Sequence, residues 1–395
     1  MELTDETLND IHNCVDMALD DIRENGGEYR KMGFYGLYEF VNNLIIQVFP
    51  ECPEVVVFKR VQEWYIQYEE TEIDFLADKS LQVEYLKTIP LPKQRTPEWF
   101  QFRLDRITAS DLASVLNIGH YARPFEVLER KVTGNMTYSP NKYTIHGTKF
   151  EDVACHAYEL RTGRHITEFG CLPHPKYEML GASPDGISDE GVMLEIKCPY
   201  SRTIKGFPPV YYWTQMQLQL EVADLEVCDF LEVEIREYPT QIEYVQDAVE
   251  GKTTSRSHGL ERGIVIELLL EDGKSEYLYP PFDVGMNEQL EAANKMISEV
   301  VDSGREDITS INQTYFYFTL YSCIRIYRDR SWFKSILPDV YEFWSNVLHW
   351  RETGIENNPE YIARETRKRN RKPKSPKVSR EMKMIDDITG GKCPF

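Results

Sequence analysis

Apolar positions in the first part of the chain recur at helical spacing, as in LNDIHNCVDMALDDI and YEFVNNLIIQVF. This pattern predicts a helical N-terminal region over residues 1–90, which carries no recognisable chemical motif. The Pro-rich stretch TIPLPKQRTP (88–97) is the predicted boundary. Thr96-Pro97 then reads as an N-cap followed by a first-turn proline, opening a helix through EWFQFRLDR. ITAS interrupts it, and Ser110 is expected to cap a second short helix, DLASVLNI. Further helices are predicted after Pro124 (FEVLERKVTG, ending at Gly134) and over KFEDVACHAYELRTG (149–163), closed by Gly163.

Beyond Gly163 the pattern changes. HITEFGCLPH and EMLGASPDG read as strands or turns, and VMLEIKCP as a strand. YYWTQMQLQLEVAD (211–224) has the length of a helix, and CDFLEVEIREY and GIVIELLL are strand-like. A loop is expected over about residues 246–262. FDVGMNEQLEAANKMISEVV and most of WFKSILPDVYEFWSNVLHWRE are predicted helices. This mixture predicts an α/β fold: a central mixed sheet flanked by helices, with helical additions at both ends. A tail over 351–395 is expected to be basic and disordered. Its stretch from Arg364 to Arg380 carries nine Lys/Arg against one Glu. Such a run suits a nuclear localisation signal or a DNA-contacting arm.

Charge adds one constraint. The formal net charge is −20. That argues against a chain that coats nucleic acid or an anionic membrane by bulk charge, and leaves room for a locally basic groove. The eight cysteines form no Cys-x-x-Cys pair, so neither a zinc ribbon nor an iron–sulfur motif is indicated. Scattered cysteines read as reduced thiols. The acidic start, MELTDETLND, does not resemble a signal peptide, and no apolar run approaches a membrane span. These features predict a soluble, intracellular protein.

The candidate chemistry lies in GASPDGISDEGVMLEIKCP (181–199). In a strand, residues two apart share a face, so Glu195 and Lys197 project together while Leu194 and Ile196 point to the core. The Pro184-Asp185-Gly186 turn can swing a carboxylate back beside Glu195. Two carboxylates and a backbone carbonyl form a hard-oxygen set suited to Mg²⁺. The adjacent Lys197 can orient or help deprotonate a water, or stabilise developing phosphate charge. Alone, the stretch supports little more than a surface hairpin with an ion pair. An internal Glu195 counts against that bland reading, because its burial needs compensation.

The wider order is more specific. TPEWFQFRLDRITASDLASVL and RPFEVLERKVTG are followed by HGTKFEDVACHAYELRTG, GASPDG, LEIKCP, YYWTQMQLQLEV and CDFLEVEI. This series resembles the YqaJ-type viral recombinase family, relatives of lambda exonuclease within the PD-(D/E)xK nuclease superfamily. The resemblance is close over about residues 95–240 and continues to about 350. It implies a restriction-endonuclease-like nuclease domain over 91–350. It further implies that Asp185, Glu195 and the Ile196 carbonyl hold Mg²⁺ (or Mn²⁺), that Glu151 stands near the metal, and that Lys197 is catalytic. By the same resemblance, Gln215 lies near the scissile or terminal phosphate, and Arg103 and Ser110 grip a 5′ phosphate.

A phosphate grip is also consistent with the residues themselves, since Arg binds phosphate oxygens bidentately and a helix start presents free N–H groups. The implied activity is a Mg²⁺-dependent 5′→3′ exonuclease on double-stranded DNA, working in viral or phage-type recombination. The implied setting is the host cytoplasm or nucleus. A single-strand annealing protein is the implied partner, and a homo-oligomer the implied assembly. An endonuclease with the same chemistry, or a non-catalytic DNA-binding module, is the competing reading. The chain's extra length puts the ring-shaped trimer of lambda exonuclease in doubt. His146, His156, His174, Trp99 and Trp213 read as structural.

Overall fold

The computed structural model describes residues 3–25, 29–69, 77–94, 96–135 and 141–370. Its strands are β1 (Ile107–Thr108), β2 (Ile166–Thr167), β3 (Leu172–Pro173), β4 (Leu180–Ala182), β5 (Gly186–Ser188), β6 (Val192–Lys197), β7 (Val227–Glu237), β8 (Arg262–Leu270), β9 (Ser275–Leu278) and β10 (Ile308–Tyr327). Seven of them form one sheet in the order β2-β5-β6-β7-β10-β8-β9. Within it β6 and β7 run parallel, and the other described pairs are antiparallel. A small second sheet has the order β1-β4-β3. The mixed α/β architecture is the one expected.

The parallel step requires a crossover, and the helix Val210–Ala223 supplies it. Its Trp213 and Met216 share one hydrophobic cluster with Met193, Cys228 and Phe230 of the sheet. The opposite face of β6, Leu194 and Ile196, packs with Phe150, Val153 and Ala157 of the helix Lys142–Thr162. The two helices therefore sandwich β6, as the alternation of its side chains demands. A third cluster joins β8 to the helix Met286–Asp302 through Ile264, Ile266 and Ala293.

Several local signals act as read. Thr96 is extended (φ −86°, ψ 159°) and accepts the Trp99 N–H at 3.3 Å. Gly134 and Gly163 end their helices in the left-handed region, at φ 69° and 70°. Gly191, at φ 87°, closes the β5–β6 hairpin. A Cβ there would lie 2.4 Å from the Lys79 Cβ, so the turn needs glycine for conformation and for space.

Two expectations are corrected. The N-terminal region is helical (Asp5–Asn25, Tyr29–Val48, Glu54–Glu69, Ser80–Lys87), but residue 90 does not bound a separate core. Ile11, Phe34, Phe58 and Val83 share one cluster with Trp213 and Phe230. Trp213 is 1% exposed; its ring lies 5.9 Å from Phe34 and 4.9 Å from Trp332. Asp329 strengthens this seam by accepting the Phe34 N–H at 3.1 Å and the Tyr65 hydroxyl at 3.3 Å.

The tail also starts later than expected. The helix Arg330–Thr353 runs past 351, and a further helix covers Pro359–Asn370, anchored by an Arg364–Glu129 ion pair. Residues 371–395, with the rest of the basic run, lie outside the described residues. The twenty-residue strand β10, which falls where no element is predicted from sequence, lies between β7 and β8, and its Ile, Thr, Tyr and Phe content suits a strand.

Truncating Trp213 to Ala would empty the junction between the N-terminal helices and the crossover helix. The expected loss is about 3–5 kcal/mol, read as a lower urea midpoint. A midpoint unchanged from wild type would show that the N-terminal helices do not share this core.

Candidate active site

The last paired residues of the β5–β6 ladder are Gly186 and Leu194, so one step further the register sets Asp185 opposite Glu195. Asp185 Oδ2 accepts the Ile196 N–H at 2.7 Å. The N–H and C=O of one strand residue face the same neighbour, so the Ile196 carbonyl faces this edge too. The Pro-Asp-Gly segment thus returns its carboxylate to β6 as read from the sequence.

Glu195 is fully buried, and hydrogen-bond donors surround it. Lys197 Nζ and Gln215 Nε2 both donate to Oε1, the latter at 2.6 Å. Gln219 Nε2 donates to Oε2 at 2.7 Å. Gln215 and Gln219 are one helical turn apart, which places both amides on the face that meets β6. Compensation of a buried carboxylate by three N–H donors is the arrangement that its position inside MLEIKC calls for.

The electrostatics follow from crowding. Burial and the charge of Glu195 push the Asp185 carboxyl well above its usual range; Lys197 opposes this, and Glu151 adds to it. Burial alone would lower the Lys197 ammonium, but Glu195 and Asp185 outweigh it and hold the group protonated. Glu151, on the helix Lys142–Thr162, is therefore close enough to act on Asp185. Among the described residues, no three His, Cys, Asp or Glu side chains stand together as a ready-made ion cage. The paired unit is Asp185 and Glu195 with the Ile196 carbonyl, and Glu151 stands beside it.

Arg103 and Ser110 also meet. Arg103 donates to Ser110 Oγ at 3.0 Å and to Ser183 Oγ at 3.4 Å, with its guanidinium 4.3 Å from the Trp99 ring centroid. Trp99 is thus a platform for Arg103 as well as a packing residue. Ser110 does not cap its helix. The helix begins at Ala109, Thr108 is the extended residue before it, and Asp111 completes the capping box. Thr108 takes the cap because Asp111, three residues on, can reach back to its N–H.

Asp111 is 7% exposed and pairs with Arg130 and, at 2.7 Å, with Lys131. Burial would raise its carboxyl, but Lys131 and Arg130 hold it below the usual carboxylate range. Lys131 also donates to the Arg103 carbonyl at 2.7 Å, which fixes the backbone under the guanidinium.

Ser183, Asp111, Lys131 and Gln219 are the contributors that motif reading did not assign. Gln219 had a signal in its spacing from Gln215, and Asp111 in Thr-x-x-Asp. Gln217 and the three histidines have structural contacts. Gln217 bridges the Tyr327 carbonyl and the Asp329 N–H, at 2.8 and 2.6 Å. His146 lies against Phe150, and burial lowers it to about 4, so it is neutral at pH 7. His174 is buried, and its Nδ1 accepts the Lys176 N–H at 3.0 Å. His156 packs on Phe282. Tyr212 stands beside the Lys197 ammonium, 5.0 Å from ring centroid to Nζ.

Residues 98–226 match the family model of the YqaJ-like viral recombinase domain. An uncharacterized protein of Acanthamoeba polyphaga mimivirus is 29% identical over 310 residues, covering 69% of this chain and 56% of that protein. The chain thus spans about half the length of this curated relative. An alkaline exonuclease from Laribacter hongkongensis, LHK-Exo, aligns at 24% identity over 69% of this chain and 99% of that one, with a TM-score of 0.39. A phage related exonuclease from Haemophilus somnus aligns at 12% identity over 64% and 95%, with a TM-score of 0.33. No helix of the described residues is long and apolar enough to cross a membrane.

The Asp111 pair sets a pH test. A carboxyl lowered by folding adds stability above its ordinary pKa, and loses it as pH falls through the folded value. Asp111→Asn is expected to cost about 3 kcal/mol at pH 7, because Lys131 is left buried without its anion. The variant should also lose part of the wild type's acid sensitivity below about pH 4. Parallel stability–pH curves for the two proteins would refute this assignment.

Proposed function

We propose that this chain, which carries a YqaJ-like viral recombinase domain over residues 98–226, is a metal-dependent DNA nuclease acting 5′→3′ from the ends of duplex DNA. One observation carries the reading. The Asp185–Glu195–Lys197 group and the Arg103–Ser110 group, far apart in sequence, are joined through Ser183 and Gln219. The Ser183 hydroxyl accepts from Arg103, and its carbonyl accepts from Gln219, which holds Glu195. An arginine suited to anions and a two-carboxylate unit linked in this way suit a substrate whose terminal phosphate and first phosphodiester are bound together.

The donor set fits a hard divalent cation. Asp185, Glu195 and the Ile196 carbonyl would hold Mg²⁺ or Mn²⁺, with Glu151 beside them, and Mg²⁺ bound by one or two carboxylates keeps several waters. The buried Oε1 of Gln219 meets no donor among the described residues, which suits a neighbouring hydrated ion. When bound, the ion would neutralise charge developing on the phosphate and acidify a water.

The protein's own groups account for the remaining tasks. Arg103, stacked on Trp99, would bind the terminal phosphate with Ser110, and this contact biases cutting toward ends. Lys197, kept protonated by its two carboxylates, would act as a cation, orienting the attacking water and stabilising the phosphorane-like charge. Gln215 would hold Glu195 in register with Lys197. Duplex DNA is the proposed substrate, with a single-strand annealing protein as partner and a homo-oligomer as the working assembly. The endonuclease alternative uses the same chemistry without the Arg103 selection.

End-labelled linear duplexes separate these readings. With Mg²⁺, 5′-phosphorylated ends should be degraded faster than 5′-hydroxyl ends, and Arg103→Ala should remove most of the difference. Covalently closed circles should survive. Cutting of closed circles at the rate of linear DNA would favour the endonuclease.

A further inference from the structure

Gln219 is fully buried and sits between the two halves of the candidate site. Its Nε2 donates to Glu195 Oε2 at 2.7 Å and reaches the Ser183 carbonyl at 3.4 Å. Both amide hydrogens are thereby used. The orientation is forced, because a flipped amide would set Oε1 against the Glu195 carboxylate. Ser183 in turn receives Arg103 on its hydroxyl. A continuous chain of contacts thus runs from the Arg103 guanidinium to Glu195.

The chain has few ways to relax. Glu195 has no exposure, and its other oxygen is held by Lys197 and Gln215. Gln219 is the member that contacts both the strand β6 carboxylate and the segment after β4. A shift of Ser183, were Arg103 to turn toward an anion, would reach Glu195 through this amide, beside the covalent path through Pro184 to Asp185.

We propose that Gln219 is a positioning residue that links the two ends of the site, so that anion binding at Arg103 and cation binding at Asp185–Glu195 strengthen each other. This rests on the nuclease reading above. Reciprocity is required: if a terminal phosphate tightens the cation, the cation tightens the phosphorylated end by the same factor.

The test uses the full chain and a hairpin duplex made resistant to cleavage by phosphorothioates at its 5′ end. The half-saturating Mg²⁺ concentration is read from fluorescence anisotropy, with a 5′-phosphate and with a 5′-hydroxyl. In the wild type the phosphate should lower that concentration about five-fold or more. In Gln219→Leu the shift should fall below about two-fold, and Mg²⁺ binding without DNA, followed by calorimetry, should weaken by about ten-fold or more, as for other residues that hold a ligand in place. Gln219→Met, of matched length, should behave alike.

If neither variant folds, Ser183→Ala breaks the chain at its Arg103 end, and it should reduce the phosphate shift while leaving Mg²⁺ binding without DNA intact. A phosphate shift that persists at wild-type size in a folded variant overturns the inference and leaves the nuclease reading standing. A wild-type chain that binds no Mg²⁺ and cuts no DNA overturns both.

Discussion

The structure depends on keeping a carboxylate, Glu195, inside a hydrophobic sandwich. A buried anion is costly unless donors surround it, and here three side chains from two elements converge on it. Lys197 is supplied by the same strand, and Gln215 and Gln219 by the crossover helix. The parallel step between β6 and β7 is what brings that helix over the strand. Fold and chemistry therefore answer the same requirement: an apolar layer must be broken at one point by a fully satisfied polar cluster.

The same requirement explains the surroundings. The crossover helix carries Trp213 on one side and the glutamines on another, so the helix that presents the cluster is itself packed into an aromatic junction with the N-terminal helices and Trp332. Gln217, between the two glutamines that hold Glu195, ties the helix to Asp329 and so to that junction. The N-terminal region is in this sense part of the site's support. Asp111 and Lys131 do for Arg103 what the glutamines do for Glu195, and they too are buried and mutually compensated.

Much of this was legible in the sequence, for physical reasons. The i, i+2 rule placed Glu195 and Lys197 together, and a Pro-Asp-Gly turn is short enough to return Asp185 to the strand. Helix ends at Gly134 and Gly163 followed from left-handed glycine. Other features were illegible because they are products of packing. Residues 88–97 look like a linker, yet helices on both sides of them contribute to one core. Ser110 looked like a cap until Asp111 selected Thr108. Ser183 is a small polar residue just after β4, and only the approach of Arg103 and Gln219 from other helices gives it a role. The strand β10 lay in a run whose β-branched and aromatic content was informative but whose pairing with both β7 and β8 was not.

The central claim is that the Glu195–Lys197 unit performs phosphodiester hydrolysis. It is tested most directly by the rate at which linear 5′-phosphorylated duplex DNA is degraded with Mg²⁺ by the wild type, Lys197→Ala and Glu195→Gln. The account predicts that the wild type degrades it and that each variant loses at least about a hundred-fold in rate, the scale of removing one positioned charge at a developing transition state. Variants that remain folded and digest the duplex as fast as the wild type would contradict it.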